Sequence, residues 1–156
     1  MGNHEDMMTD ISAKRLWLSN GGMDTLRSYE SGNGNYVDEF PIHMEWMVDL
    51  PLIIEYKNFI ISHSAIFYCW DLNQQSVSFI ENSLWGRDFS RLENTLPEGK
   101  INIFGHTPVE QIVKDKHFIN IDCGCVFKRN NYSRLGTLVA YDMDTDIFYK
   151  QENIED

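Results

Sequence analysis

Ile101-Asn102-Ile103-Phe104-Gly105-His106-Thr107-Pro108 is an apolar run of strand length that stops abruptly at a glycine, with a histidine directly behind it. The pattern recurs. Phe59-Ile60-Ile61-Ser62 runs into His63, and Phe118-Ile119-Asn120-Ile121 runs into Asp122-Cys123-Gly124. Short β-type runs ending in polar residues describe strands whose ends meet at one edge of a sheet. In α/β folds that edge is where ligands bind, because loops there expose side chains on a rigid frame.

Working outward, Leu52-Ile53-Ile54-Glu55-Tyr56 and Phe59 to Ser62 are separated by Lys57-Asn58 and read as a hairpin. Leu135 to Tyr141 and Ile147 to Lys150 flank the polar turn Asp142-Met143-Asp144-Thr145-Asp146 and read as a second one. The first third is different. Met7, Met8, Ile11 and Leu18 recur at helical spacing until Asn20-Gly21-Gly22, and a short helix fits Met23 to Tyr29. Ser31-Gly32-Asn33-Gly34-Asn35 reads as a loop. Pro41 suits the first position of a helix whose face is Ile42, Trp46, Met47 and Leu50, with Pro51 as its stop. Gln74 to Leu96 is expected to be helical in part, with Trp85 and Phe89 one turn apart. With no repeat and no linker, the expectation is one α/β (α+β) domain over residues 1–156, helices first and strands later.

Composition bounds the function. The 156 residues are 42% hydrophobic and 13% aromatic, which excludes disorder as the dominant state. A compact domain of this length has a radius of gyration of about 15 Å. The charge of −11, from 13 basic against 24 acidic residues, argues against a nucleic-acid or anionic-membrane surface, since phosphate backbones require clustered Lys and Arg. An acidic protein still binds phosphorylated substrates where metal ions supply positive charge. No apolar stretch has the length of a membrane span, and no secretory leader is seen at the start. Cys69, Cys123 and Cys125 are odd in number, and Cys123-Gly124-Cys125 is too tight for an ordinary bridge. A reducing, cytoplasmic home follows as the expectation. The Cys-x-Cys pair lacks the partner ligands of a zinc site.

His4 in Gly2-Asn3-His4-Glu5, His63 and His106 each lie beside a glycine or at the end of a strand-like run. Imidazoles together with the amide oxygen of Asn3 suit Mn, Fe or Zn better than Ca or Mg. Two other candidates are weaker. Asp115-Lys116-His117 has ligand-like spacing but lacks flanking glycines. Asp142, Asp144 and Asp146 begin like a calcium loop, yet Ile147 and Asn153 stand where glycine and a bidentate Glu are needed.

In order along the chain, Gly2-Asn3-His4-Glu5, Ile61-Ser62-His63-Ser64-Ala65 and Phe104-Gly105-His106-Thr107-Pro108 resemble the last three motifs of the calcineurin-like metallophosphoesterases. Trp17-Leu18-Ser19-Asn20-Gly21-Gly22, Leu50 to Glu55, Trp85-Gly86-Arg87 and Asn120 to Phe127 narrow the resemblance. They are similar to the bacterial and phage serine/threonine protein phosphatases and their dinucleoside-tetraphosphatase relatives. The resemblance implies a fold, the C-terminal part of a four-layer sandwich. It also implies an activity, metal-dependent hydrolysis of a phosphorylated protein or small phosphoester by a metal-activated water. By motif, Asn3, His63 and His106 would be metal ligands, His4 the general acid and Arg87 a clamp on phosphate oxygens. Mn²⁺ is the expected ion, with Fe or Zn as alternatives; hydrolysis of dinucleoside polyphosphates is the alternative activity, and a non-catalytic binding domain the alternative class.

Two motifs of that family do not occur here: Gly-Asp-x-His-Gly, and Gly-Asp-x-x-Asp-Arg-Gly with its bridging Asp. The sequence therefore reads as the C-terminal two-thirds of such an enzyme, a truncated domain. Three neutral ligands are expected to hold at most one ion, and the chain alone is expected to be weak or inactive. Lys128-Arg129-Asn130-Asn131 stands where many relatives have Gly-Gly, which leaves substrate choice open.

Overall fold

Residues 1–31, 36–88, 93–127 and 134–154 are described by a computed structural model of the chain, and they fall into two units, Met1–Leu52 and Ile53–Asp156. Most of the loop read at Ser31 to Asn35, the Phe89 position and the basic Lys128 to Asn131 stretch lie outside the described residues. The class is mixed α/β of the α+β kind, helices first and strands afterwards, as the sequence implied.

The first unit is helical. Helix α1 (Asn3–Thr9) opens with Gly2 as cap, and the Glu5 carboxylate reaches back to accept the Gly2 N–H at 2.8 Å. That carboxylate satisfies an N–H which the helix leaves without an internal acceptor. The helical spacing from Met7 to Leu18 does not make one continuous helix. Asp10 is extended, its side chain accepts from the Ser12 N–H, and a 3₁₀ turn (Ile11–Ala13) begins there. Ile11 is consequently 90% exposed. Helix α2 (Lys14–Trp17) runs into a wide turn, Leu18–Gly22, where Gly21 at φ 96° breaks the spiral before α3 (Met23–Ser31). Gly22 is packed against the buried Trp17 ring.

Helix α4 spans Tyr36–Val48, so Pro41 lies inside it instead of opening it. Asp38 and Glu39 in its first turn favour that earlier start, their charges facing the positive end of the helix dipole. The inward face differs in part from the expected one. Met47 and Leu50 are half-buried as expected, and Phe40 and Met44 join them, whereas Ile42 and Trp46 are 63% and 61% exposed. Phe40 meets Tyr29 edge to face at 5.5 Å and Trp17 at 6.4 Å between ring centres.

The second unit is a five-stranded mixed sheet with a separate hairpin. Strands β1 (Ile53–Tyr56) and β2 (Phe59–Ser62) form the expected antiparallel hairpin, and Lys57 at φ 53° makes its turn. Parallel to β2 runs β3 (Ile101–Phe104), and parallel to β3 runs β5 (Phe118–Asn120). The sequence did not announce β4 (Val113–Lys114), which pairs antiparallel with β5 and completes the order β1-β2-β3-β5-β4. Strands β6 (Thr137–Asp142) and β7 (Ile147–Glu152) pair antiparallel.

Alternation within the strands gives the sheet two apolar faces. Ile60, Phe104 and Phe118 share one face with Ala65, Ile66, Phe67 and Phe79, and Phe67 and Phe118 stack at 4.8 Å. Phe79 belongs to α5 (Val77–Trp85), which Ser76 caps by accepting the Phe79 N–H and Gly86 terminates. Helix α5 is thus the helical part of the Gln74 to Leu96 stretch among its described residues. On the other face Phe59, Ile103 and Ile119 pack with Tyr141, Met143 and Phe148 of the β6–β7 hairpin. Among the described residues no helix is long and apolar enough to cross a membrane.

Candidate functional site

Because β2, β3 and β5 are parallel, their carboxyl ends lie at the same edge of the sheet. His63 follows β2 directly, and His106 follows β3 by two residues. The ladder continues past the strand ends: the Gly105 N–H donates to the His63 carbonyl at 3.0 Å. That bond sets the two histidine loops side by side. His63 Nε2 lies 2.9 Å from His106 Nδ1, and the ring centres are 4.7 Å apart.

His106 is held in an unusual backbone conformation, φ 65°. A non-glycine residue there costs of order 1 kcal/mol, a strain that surrounding structure must offset. Gly105 lies close against the β5 loop: a Cβ on it would sit 3.3 Å from the Asp122 Cβ. The Nε2 atom of His106 and the Thr107 hydroxyl are both buried and meet no hydrogen-bond partner among the described residues. Burial first, then the charges of His63 and Arg87, push the His106 imidazole down to about 4; the Trp85 backbone and the Asp122 carboxylate pull the other way. The ring is therefore neutral, with a lone pair to offer, through the physiological range.

The end of α5 carries Trp85, whose ring stands edge-on to His106 at 6.4 Å. Two residues on, Arg87 is exposed, and its Nη1 donates to the His106 carbonyl at 3.0 Å. A guanidinium presents five N–H donors in a planar fork, and this bond uses one of them. The structure thus brings His63, His106 and Arg87 together within the second unit. Asn3, the first residue of α1, is buried, and His4 beside it is exposed; both belong to the first unit.

Neutral nitrogen ligands bind a transition metal at about 2.0–2.1 Å, so two on adjacent positions lie about 3 Å apart. The 2.9 Å separation of the His63 and His106 nitrogens fits that spacing. No group of three or more His, Cys, Asp or Glu side chains suited to a metal occurs among the described residues. The His63–His106 pair offers two nitrogens, short of such a group. The three cysteines are unbridged, with Cys69 and Cys123 buried. His117 of the Asp-x-His pair is engaged with Asn94 at 2.6 Å. Asp144 and Asp146 are tied to Lys57 and Lys114.

Three residues around the pair carry no role in the sequence reading. Asp122 ends the β5 loop, with Oδ1 accepting the Gly124 N–H at 2.9 Å. Asn102 and Asn120 are fully buried amides within apolar strands. Their signal in the sequence is a polar residue where the alternation demands an apolar one, because a buried amide is retained only where its hydrogen bonds are made. No protein-family model matches the chain, and no curated protein matches it either.

Proposed function

We propose that this chain carries part of the site of a metal-dependent phosphoester hydrolase, with a phosphorylated protein as the preferred substrate and Mn²⁺ as the ion. The carrying observation is the convergence of His63 and His106 at the carboxyl edge of a parallel sheet, with Arg87 anchored beside them. The ordered motifs Gly2 to Glu5, Ile61 to Ala65 and Phe104 to Pro108 support the same reading.

Each residue has a physical task. His63 and His106 supply imidazole nitrogens, and the burial of His106 keeps its lone pair available where a free histidine would begin to protonate. Arg87, fixed through the His106 carbonyl, offers a planar fork that matches two phosphoryl oxygens. A bound divalent ion would lower the pKa of its water and neutralise charge on the phosphoryl group. Without the bridging carboxylate of a two-metal site, turnover by the chain alone is expected to be weak or absent.

Electron paramagnetic resonance of Mn²⁺ tests the reading, since binding removes the sharp signal of the free ion. The full chain is expected to bind one weak Mn²⁺, to lose it in His63→Ala and in His106→Ala, and to keep it in His43→Ala. A chain that leaves the signal of free Mn²⁺ unchanged, or binding untouched by both of the first two substitutions, overturns the proposal.

A further inference from the structure

Behind each histidine loop a buried asparagine of the neighbouring strand bonds to the loop. On β3, the Asn102 amide is fully buried; its Oδ1 accepts the Ile66 N–H at 2.8 Å, and its Nδ2 donates to the Ser62 hydroxyl at 2.8 Å and to the Ile60 carbonyl at 3.0 Å. Ser62 in turn donates to the Ser64 carbonyl at 2.7 Å. The segment that carries His63, from Ser62 to Ile66, is thus fastened at both ends by one side chain of the neighbouring strand. On β5, Asn120 is equally buried; its Nδ2 donates to the Thr107 carbonyl at 2.9 Å, and its Oδ1 accepts the Asp122 N–H at 3.0 Å. The segment that carries His106 is thus held at Thr107 from its neighbouring strand, and the second bond fixes the Asn120 amide to its own loop.

We infer that Asn102 and Asn120 are positioning residues for the site, each holding one histidine loop so that the two imidazoles face each other. An amide is the side chain this task requires, since one group must donate and accept at once. The strained His106 backbone needs such a fastening, for a left-handed non-glycine residue persists only where its surroundings over-determine it. Groups behind metal-ligating histidines typically alter metal affinity by about 10–100-fold when removed. The inference rests on the cation-binding reading of the pair only for its consequence in metal affinity; the fastening itself is a property of the metal-free chain.

The test uses the full chain and reads the imidazole nitrogens by ¹⁵N NMR without metal, alongside Mn²⁺ binding by paramagnetic resonance. Asn102→Ala and Asn120→Ala are the direct variants. Asn102→Asp and Asn120→Asp keep the size and the acceptor oxygen and remove the N–H donors, so they report if the alanine variants do not fold. In the wild type, His63 and His106 should each show one fixed tautomer. Substitution at 120 should average the His106 signals, and substitution at 102 those of His63. Asn94→Ala, which removes the partner of His117, should move the His117 signals alone. Mn²⁺ affinity should fall by about tenfold in the folded variants. Folded variants with lowered melting temperature but wild-type His63 and His106 signals overturn the inference. Averaged signals in a chain whose wild type binds no Mn²⁺ support it and overturn the cation reading instead.

Discussion

Nε2 of His63 lies 2.9 Å from Nδ1 of His106 across 43 residues of sequence. The backbone makes this contact before the rings do, through the Gly105 N–H on the His63 carbonyl at 3.0 Å. The geometry of the site is therefore a property of the sheet edge, and substitutions that loosen that edge should act on both rings together.

The acid response of the metal-free chain follows from His106. In the unfolded chain its ring takes up a proton near the ordinary value of 6.5, but in the fold only near about 4. Between those values the unfolded state holds more protons, so stability rises with pH across that window and is lost as pH falls through it. Urea midpoints measured at several pH values between neutral and 4 should show this fall, and His106→Gln should flatten it. A midpoint for His106 near 6.5 in an NMR titration would contradict the placement of the ring.

Arg87 has a separable role. Orthophosphate should strengthen Mn²⁺ binding to the wild type and do so much less for Arg87→Lys, because an ammonium keeps the charge but not the planar fork. Mn²⁺ binding without phosphate should change little. Equal phosphate effects in the two proteins would show that Arg87 serves only the His106 carbonyl.

In the first unit the paired glycines should respond unequally. A Cβ at Gly22 would stand 2.6 Å from the Trp17 ring and 2.8 Å from the Trp17 carbonyl, whereas one at Gly21 would meet nothing. Gly22→Ala is expected to destabilise by about 1–3 kcal/mol through overpacking. Gly21→Ala costs only the strain of its left-handed backbone, of order 1 kcal/mol. Tryptophan-monitored denaturation of both variants checks the order.

Helix α5 delivers Trp85 and Arg87 to the site, and its anchor is Phe79, with no exposed surface. Phe79→Ala should cost about 3–5 kcal/mol. Ser76→Ala removes the cap at the other end and should cost about 1 kcal/mol. Equilibrium unfolding in urea separates the two.

The β6–β7 hairpin is fastened to the sheet by exposed pairs, Lys57–Asp144 at 2.6 Å and Lys114–Asp146 at 2.5 Å. Those lysines hold both carboxyls below their ordinary value. Their contribution is present above that value and lost as pH falls through the lowered one. High salt should act in the same direction, because exposed pairs are screened. Amide exchange in β6 and β7 should quicken with acid or salt, and this response should be blunted in Asp144→Asn combined with Asp146→Asn.

The strands and the edge they share were legible because alternation and punctuation are local: Ile101–Phe104 and the hairpin from Ile53 to Ser62 needed no tertiary information. Helix faces were less so. Ile42 and Trp46 looked like core by hydrophobicity, yet Phe40 and Met44 turn inward beside Met47, since which stripe is buried depends on what lies opposite. The break at Asp10 was hidden because a carboxylate that caps a new turn has the same letter as one on a solvated helix. Asn102 and Asn120 were overlooked since buried amides show their purpose only through partners distant in sequence.

The parallel register places Ile61 opposite Ile103. Deleting a single residue from β3 would invert its phase, since a one-residue slip sends every side chain to the opposite side. Asn102 would then be thrust among the aliphatic groups under the hairpin, and the turn bearing His106 would start from the wrong side. Strand β3 is thus intolerant of single-residue indels.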